Sequence, residues 1–365
     1  MLEPRDRCIL VIDDSDSVPY DALRRALEPQ QELLVARSVD EAANLLPAVL
    51  LVLLAVRDVP AAMLALAARA PELPVFPLAR GADAVVWLPA LTVQARSLRA
   101  ERERLTLMNR ELAANLDLLR EDEDAGRRVQ QRILPESPRD YGWCVAEHRV
   151  IPSLFLSGDF VDHFALAPGH LAFYLADVSG HGMSSAFITV LLKTLGNRAR
   201  RAMQRELLDE GILRPSLLLE LANRELLALG LGKHVTMFCG VIDSGRRELR
   251  YSVAGHYPQP LVFDGKCAHY VEGRGMPAGL FDEAVYEDRM LALPAGFALV
   301  LFSDGLMELM GETTLVDKES RLLRVVGSGA VTVDALSREF ALDGRRDIPD
   351  DVAMLVIRES SPGPA

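Results

Sequence analysis

The sequence has few cysteines, and their arrangement is typical of neither a zinc site nor a disulfide-bonded domain. The four cysteines are Cys8, Cys144, Cys239 and Cys267. They are scattered singly, without a Cys-x-x-Cys pair and without clustering with histidine, so the sequence indicates neither a metal cluster nor a disulfide framework. We therefore expect four reduced cysteines that fill space.

Long hydrophobic runs and an excess of positive charge are also missing. The apolar runs Leu45–Val56 and Leu291–Phe302 are each interrupted by proline, and both are too short to cross about 30 Å of hydrocarbon. The chain carries 40 Lys and Arg against 52 Asp and Glu, a net charge of −12, which disfavours nonspecific binding to nucleic acid or to an anionic membrane. The first residues lack the features of an export signal. We expect a cytoplasmic protein without nucleic-acid or membrane partners.

The 365 residues, half of them hydrophobic, favour two domains with a linker. Residues 1–90 alternate β-type apolar runs, the last being Val85–Leu88, with amphipathic stretches. This alternation predicts a parallel sheet covered on both faces, an α/β domain. Residues 91–135 carry leucine at every seventh position from 91 to 119, which is typical of a coiled-coil helix. The alternative is a single helix that packs its leucine stripe on its own domain.

The remainder of the chain contains mostly predicted strands. Residues 136–358 show two helical blocks, at 184–201 and 215–229, among runs with strand character. Such a mixture predicts a layered α+β domain. Residues 359–365 are expected to form a tail.

An acidic pair, Asp13 and Asp14, ends the first predicted strand, where two carboxylates can hold a divalent ion. The first segment here resembles a response-regulator receiver domain with its flavodoxin-like parallel sheet. That family carries a phospho-accepting Asp, a Ser or Thr and a Lys after its third, fourth and fifth strands. The matching positions hold Ala55, Ala79 and Leu88. The resemblance therefore implies a degenerate receiver, a pseudo-receiver that docks a partner or biases dimerisation.

Asp58, three residues beyond the expected phosphorylation site, is the one candidate replacement. Carboxyl phosphorylation needs in-line geometry with a metal and a lysine, so this role is disfavoured. A turn that caps the helix beginning near Asp16 and Ser17 is the favoured interpretation of the acidic pair.

Four further aspartates each fall at the end of a predicted strand: Asp159, Asp177, Asp304 and Asp350. Carboxylates placed at strand ends, far apart in sequence, are typical of a site for two hard divalent cations. Two such ions about 3.5–4 Å apart activate a water and stabilise the attacking and leaving oxygens of phosphoryl transfer. Each aspartate alone is also a common turn residue, but the set predicts a two-metal hydrolase.

Eight short segments follow one another between residues 121 and 358: VQQRILP, SGDFVD, DVSGHG, VTMF, AGHYP, GMPAGL, FSDGLMEL and DDVAMLVI. An ordered series of this kind is more specific than any single motif. It resembles the metal-dependent Ser/Thr protein phosphatases, and within them the bacterial SpoIIE-like branch. The resemblance implies an αββα sandwich that binds two Mn²⁺ or Mg²⁺ ions.

The resemblance also implies roles for individual residues. Asp177 would bridge the two metals, with the Val178 carbonyl completing one site. Asp304 and Asp350 would hold the other metal. Asp159 matches an acidic residue that acts near the metals, often through a bound water. The four aspartates would act on the reacting water through the ions.

Supporting roles are implied for three neighbours of these residues. Gly158 would give close backbone access, and Asp351 and His181 would support the loops around the metals. Asp162 is a weaker candidate. His256 is interpreted as a structural histidine with a hydrogen-bonded ring.

The order of receiver, helix and phosphatase resembles RssB-type regulators and related receiver–phosphatase fusions. It implies a phosphorylated protein substrate, such as an anti-sigma-factor antagonist, and a homodimer formed through residues 91–135. The alternative is a non-catalytic adaptor that binds a sigma factor or an anti-sigma factor. Ala353 stands where the family often has Thr, a departure that does not by itself predict an inactive enzyme.

Overall fold

The structure is a computed structural model that describes residues 8–27, 29, 31–78, 84–180, 182–209, 213–329, 331–345 and 347–360. These residues form two compact units, which meet in sequence between Asp117 and Leu118. None of the helices within the described ranges combines the length and the apolar character that a membrane crossing requires.

The first unit contains a parallel sheet. Its elements are β1 (Cys8–Asp13), α1 (Tyr20–Ala26), β2 (Glu32–Ala36), α2 (Val39–Ala42), β3 (Val49–Ala55), α3 (Val59–Arg69), β4 (Val75–Pro77) and α4 (Ala84–Ile133), the last of which continues beyond the unit. The strand order is β2-β1-β3-β4, with every neighbouring pair parallel.

Strand β3 shows why the sheet is covered on both sides, because it is buried at every position. Successive side chains of a strand point to opposite faces. On one face Leu51 and Leu53 pack with Leu23 of α1. On the other face Val52 and Leu54 pack with Leu66 of α3. The parallel sheet covered on both faces is therefore confirmed.

The fifth strand expected at Val85–Leu88 is wrong, since these residues form the first turns of α4. A short apolar run does not distinguish a strand from a buried helical segment, and this run passes into the leucine repeat without an intervening turn. Leu88 is buried in the cluster that covers one face of the sheet. The boundary expected at residue 90 lies inside this helix, and Ala79 lies outside the described residues.

The leucine repeat of α4 is mostly exposed. Leu98, Leu105, Leu112 and Leu119 are each between 51% and 58% exposed, whereas Leu91 packs on the sheet. Packing of the whole stripe on its own domain is therefore not observed for these four leucines. Coiled-coil pairing with a second copy stays a prediction.

The second unit contains two antiparallel sheets and five helices among the residues that are described. Its elements are β5 (Arg139–Asp140), β6 (Cys144–Ile151), β7 (Phe160–Ala167), β8 (His170–Val178), α5 (Met183–Asp209), α6 (Ser216–Leu229), β9 (Val235–Asp243), β10 (Glu248–Ala254), β11 (Leu261–Phe263), β12 (Ala268–Tyr270), β13 (Arg289–Ala292), β14 (Ala298–Phe302), α7 (Gly305–Glu308), α8 (Leu315–Gly327), α9 (Val333–Glu339) and β15 (Val352–Glu359). The sheet orders are β13-β10-β9-β8-β7 and β12-β11-β14-β15-β6-β5.

Strand β8 illustrates how the layers form. Phe173 and Leu175 lie with Leu355 of β15 in the core between the two sheets. Tyr174 and Ala176 point the other way, into the core beneath α5 and α6. Burying a large apolar side chain contributes about 1.5–3 kcal/mol relative to leaving it exposed, so strands with two buried faces hold the layers together.

Helices α8 and α9 cover the outer face of the six-stranded sheet, so the prediction of only two helical blocks is wrong in this region. Helix α8 buries Leu322, Val325 and Val326, and α9 buries Val333 and Leu336, all in one core cluster. The i, i+3, i+4 spacing in α8 is the helical signal that identifies it. The four layers form an αββα sandwich, as the resemblance implies.

The cysteines follow the expectation only in part. Cys144 and Cys239 are buried fillers, but Cys267 is exposed. Its thiol lies 3.2 Å from Nε2 of His269. The expectation that no cysteine clusters with histidine is therefore wrong, because the two residues, separated by one position, come together on a short strand and its turn.

Candidate metal centre

The four predicted aspartates come from both sheets of the sandwich. Asp159 directly precedes β7, and Asp177 is the penultimate residue of β8. Asp304 follows β14 at the start of α7, and Asp350 lies two residues before β15. Two carboxylates therefore approach from the five-stranded sheet and two from the six-stranded sheet.

These carboxylates interact electrostatically with one another. Burial, followed by the negative charges of Asp304 and Asp350, raises the pKa of Asp177 to about 7. Burial and the charge of Asp177 raise the pKa of Asp159 well above its usual range. Burial and the charge of Asp350 also raise the pKa of Asp304. Like charges close together at a partly buried site favour the protonated forms, and a divalent cation would remove that repulsion.

A buried oxygen of Asp159 gives a second indication of a cation. Its Oδ2 has no hydrogen-bond partner among the residues that the structure describes. A buried carboxylate oxygen without a donor is costly. Carboxylate and carbonyl oxygens are the ligands that Mg²⁺ and Mn²⁺ prefer, so the donor set fits such an ion.

The four aspartates are nevertheless not gathered at the spacing of a closed metal site. Within the described ranges, no three of these aspartates bring one oxygen each within 4.8 Å of one another. The carboxylates are near enough to raise one another's pKa but are not packed against one another.

Gly158 brings the Asp159 loop against the end of β8. Its carbonyl accepts a hydrogen bond of 3.3 Å from the Val178 N–H. A Cβ at this position would lie 2.9 Å from the Val178 carbonyl oxygen, a separation that side chains do not adopt. Glycine is therefore needed for the close backbone access that the sequence predicts here.

Asp351 ties three loops together through its carboxylate. Its Oδ2 accepts the Gly158 N–H at 2.6 Å. Its Oδ1 accepts the N–H and the hydroxyl of Ser153 at 2.6 and 2.8 Å. Both oxygens are thus engaged by donors, so Asp351 positions the Asp159 loop next to Asp350 and is a positioning residue.

The loop of Asp304 is joined to the start of β15 in a similar way. The Ser303 N–H donates to the Ala353 carbonyl at 2.9 Å, and the Ala353 N–H donates to the Ser303 hydroxyl at 2.8 Å. A Cβ on Gly305 would lie 2.0 Å from the carbonyl oxygen of Asp351. The sequence Ser-Asp-Gly therefore lets two loops touch through their backbones, and the junction at Ala353 forms without a threonine hydroxyl.

Two other predicted residues, Asp162 and His256, make no contact with these aspartates, and a third is not described. Asp162 is buried and pairs with the Lys193 ammonium at 2.9 Å. His256 is buried beside Phe238, with the ring centroids 6.1 Å apart, and neither ring nitrogen finds a partner within the described part of the chain. The expected hydrogen-bonded ring is therefore wrong. His181 lies outside the described residues.

Sequence reasoning assigned no role to two polar residues beside these loops. Gln130, in the last turn of α4, donates from its side chain to the Ser157 carbonyl at 2.7 Å. Lys233 donates to the Ser179 carbonyl at 2.7 Å, just beyond Asp177 and Val178. The position of Gln130 in the VQQRILP segment was an available signal, whereas Lys233 belongs to none of the eight segments.

The acidic residues of the first unit are occupied by local structure. Partial burial alone raises the pKa of Asp13, but hydrogen bonds, among them those from the Ser15 N–H and the Tyr20 hydroxyl, lower it to about 2. Asp14 accepts the Arg57 N–H at 3.0 Å. Asp58 caps α3 by accepting the Ala61 N–H at 3.0 Å. The contacts of Asp13 and Asp14 agree with a turn, and that of Asp58 with a helix cap. The helix expected to begin near Asp16 and Ser17 begins instead at Tyr20, and no side chain caps it.

Comparisons with known proteins find relatives that match part of the chain. Curated relatives include protein IcfG of Synechocystis (23% identical, covering 64% of this chain and 41% of the relative) and phosphoserine phosphatase RsbP of Bacillus subtilis (27% identical, covering 44% and 39%). The chain thus spans less than half the length of these relatives. A solved structure of the RsbU and RsbW domains of Rv1364c from Mycobacterium tuberculosis is 25% identical, covers 63% of each chain and superposes with a TM-score of 0.50.

The comparison with families covers just over half of the chain. The family described as stage II sporulation protein E (SpoIIE) matches residues 167–359. The matched region begins within β7 and ends with β15, so it contains Asp177, Asp304 and Asp350. The chain belongs to the SpoIIE family.

Proposed function

We propose that the protein is a metal-dependent phosphatase that removes phosphate from serine or threonine of a partner protein. The observation that carries this proposal is the mutually repelling set of carboxylates around Asp177 and Asp304, which ranges from the buried Asp159 to the exposed Asp304, within a domain of the SpoIIE family. The unpartnered Oδ2 of Asp159 supports it, because it is an acceptor suited to a cation.

We assign two Mn²⁺ or Mg²⁺ ions to this centre. Asp159, Asp177, Asp304, Asp350 and the Val178 carbonyl are the ligands that would hold them. When bound, such ions supply an activated water and neutralise the charge of the phosphoryl group.

The chain's own residues have the task of placing these ligands. Asp351 fixes the Asp159 loop through the Gly158 N–H. Lys233 fixes the turn after Val178 through the Ser179 carbonyl, and it also donates to the Ser185 hydroxyl at 3.2 Å. Groups held in this way need little rearrangement when substrate binds, which is how preorganised sites lower a barrier.

The substrate we propose is a phosphorylated protein of a partner-switching pathway that controls a sigma factor, such as an anti-sigma-factor antagonist. A phosphoserine phosphatase among the relatives supports the phosphoserine class. The net charge of −12 favours a partner protein over nucleic acid. We place the activity in the cytoplasm, and we propose regulation through the pseudo-receiver and α4, with dimerisation through residues 91–135.

A second candidate is a non-catalytic adaptor that binds a sigma or anti-sigma factor. The observation that favours it lies in the first unit, where Asp13, Asp14 and Asp58 are all engaged by turn and cap contacts. A module without a free phosphorylation site acts through binding alone. The adaptor predicts stoichiometric binding of its partner that is unchanged by Asp177→Asn.

The deciding experiment measures phosphate release from a phosphoserine-containing antagonist-type protein, with Mn²⁺, with Mg²⁺ and with chelator. Asp304→Asn should lower kcat/KM by at least about a hundredfold, since several kcal/mol of charge stabilisation correspond to more than two powers of ten. Asp282→Asn, at an exposed turn, is the matched control and should retain full activity. Metal-independent turnover, or no turnover by folded wild type with either ion, would overturn the proposal.

A further inference from the structure

A second group of metal-binding side chains lies at the turn between β11 and β12. It consists of Asp264, Cys267 and His269, whose ligand atoms all lie within 4.8 Å of one another. The Cys267 Sγ is 3.2 Å from Nε2 of His269 and 3.5 Å from Oδ2 of Asp264. The same Oδ2 is 3.5 Å from Nε2 of His269. Three different donor types therefore converge on one point.

The turn itself fixes this arrangement. The Asp264 N–H donates to the Cys267 carbonyl at 3.1 Å, and Gly265 adopts a φ of 88°, which only glycine takes readily in a two-residue hairpin turn. Oδ1 of Asp264 accepts the N–H groups of Lys266 and Cys267, each at 2.8 Å. These bonds hold the carboxylate so that Oδ2 faces the thiol and the imidazole.

The strand supplies the other two donors on the same side. Cys267 directly precedes β12 and His269 is its middle residue. Residues two apart on a strand project to the same face. Strand β12 is an outer strand of its sheet, so the group faces solvent and is accessible to an ion.

The separations match one face of a tetrahedral zinc site. Bonds of about 2.3 Å to sulfur and about 2.0–2.2 Å to nitrogen and oxygen set ligand–ligand distances of about 3.4–3.6 Å at tetrahedral angles. The three distances here are 3.2, 3.5 and 3.5 Å. An ion at the centre of these atoms would keep one position open toward solvent.

We propose that Asp264, Cys267 and His269 bind one zinc-class divalent ion, with water or a side chain of a partner as the fourth ligand. The thiolate and imidazole select Zn²⁺ over Mg²⁺ or Mn²⁺, which prefer oxygen ligands only. The site differs in donor chemistry from the carboxylate centre and is independent of the proposed phosphatase function.

The site is also separate in space. Phe263, just before Asp264, pairs with Ala298 at the start of β14, whereas Asp304 follows the opposite end of that strand. At about 3.3 Å per residue the two sites lie about 20 Å apart along β14. An ion at the hairpin therefore does not share ligands with the carboxylate centre.

Cobalt distinguishes the two sites in the full-length protein. Co²⁺ replaces Zn²⁺ and gives a near-ultraviolet charge-transfer absorption only when a thiolate is bound to it, which the carboxylate centre lacks. After chelation and removal of the chelator, titration with Co²⁺ should produce this band at one equivalent per chain beyond any oxygen-only sites. Zn²⁺ should then abolish the band by displacement.

Matched variants assign the band to its ligands. Cys267→Ser should remove it, and His269→Gln should weaken Co²⁺ binding at least tenfold. Cys8→Ser, which removes a different thiol, and Lys266→Ala, in the same turn, should leave it unchanged. Asp304→Asn should also leave it unchanged, so failure of the phosphatase proposal and failure of this one are distinguishable.

Two results would overturn the zinc proposal. One is the absence of a thiolate–cobalt band in folded wild type, which would mean that the three side chains only hydrogen-bond to one another. The other is a band that persists in Cys267→Ser and disappears in Cys8→Ser. Circular dichroism of each variant tests whether it is folded. We expect Cys267→Ser to fold because Cys267 is exposed.

Discussion

The side-chain amide of Gln130 binds both backbone groups of Ser157. Its Nε2 donates to the Ser157 carbonyl at 2.7 Å, and its Oε1 accepts the Ser157 N–H at 3.1 Å. Nε2 also donates to the Thr189 hydroxyl at 3.0 Å. One turn earlier in α4, a Cβ on Gly126 would lie 3.2 Å from Leu156. The end of α4 therefore holds the loop that carries Asp159 in place through hydrogen bonds and close packing.

Removing the hydrogen bonds of Gln130 should weaken metal binding by the carboxylate centre. The two hydrogen bonds to Ser157 contribute about 0.5–1.5 kcal/mol each, so Gln130→Leu should destabilise the Asp159 loop by about 1–3 kcal/mol. We expect the Mn²⁺ concentration for half-maximal phosphatase activity to rise about tenfold or more. Gln131→Leu, at the exposed neighbouring position, is the matched control. An equal effect of both substitutions would assign the loss to the helix as a whole.

The repulsion within the carboxylate centre predicts that one substitution raises the unfolding temperature of the metal-free protein and lowers that of the metal-bound protein relative to wild type. In chelator, Asp304→Asn removes one of the charges that raise the pKa of Asp177, so the variant should unfold at a higher temperature than wild type. A gain of 1 kcal/mol corresponds to about 2–4 °C for a domain of this size.

With saturating Mn²⁺ the order should reverse, because wild type alone gains the full stabilisation by the bound ions. Differential scanning calorimetry in both conditions measures the two temperatures, with Asp282→Asn as the control. A metal-free variant that is less stable than metal-free wild type would contradict the repulsive arrangement.

Buried histidines predict loss of stability in mild acid. Burial lowers the pKa of His256 to about 3, against about 6.5 in the unfolded chain. The unfolded state therefore binds more protons between these values, so stability is fully present above about pH 6.5 and is lost as the pH falls toward 3. From pH 7 to pH 5 this single residue should lower the free energy of unfolding by about 2 kcal/mol.

Urea unfolding of wild type and His256→Leu at pH 7 and pH 5 tests this slope. Burial also lowers the pKa of His148 to about 4 and of His163 to about 3, so wild type should lose more stability than one histidine explains. The variant should lose about 2 kcal/mol less than wild type over the same interval. Identical slopes for the two proteins would show that His256 does not titrate in this way.

The exposed leucine stripe of α4 predicts a dimer that charge disrupts. Leu105 and Leu112 are 51% and 58% exposed and lie seven residues apart, as in a coiled-coil seam. Leu105→Lys with Leu112→Lys should lower the dimer fraction at least tenfold in analytical ultracentrifugation. Leu107→Lys is the matched control, since Leu107 is 58% exposed but lies off the stripe. A wild-type protein that is monomeric would contradict the prediction that the leucine stripe of α4 pairs two copies of the chain.

The layers and the carboxylates were predictable because their signals are local. In β8 the residues from 171 to 176 are all apolar, and Asp177 follows them directly in the sequence. The run Val85–Leu88 was misassigned because four apolar residues fit a strand or a helix equally well.

The contacts that support the centre were not predictable in the same way. Gln130 and Ser157 meet only in the folded domain, where the last turns of α4 lie beside the Ser157 loop and Thr189 of α5, and no spacing in the sequence encodes that meeting. The lack of a hydrogen-bond partner for the His256 ring likewise depends on which side chains lie near it in the fold, and the sequence does not specify them. Cys267 and His269 lie two residues apart, so their proximity was readable once a strand was placed there.

The backbone contact at Gly305 has a consequence for how relatives of this protein are classified. Its Cβ position lies 2.0 Å from the Asp351 carbonyl, so even alanine there would separate the two loops. A descendant with that single change would retain every aspartate and lose the arrangement that makes them useful. An inventory of ligand residues would count such a chain as able to bind the metals, and only inspection of this glycine would reveal that the two loops had separated during its evolution.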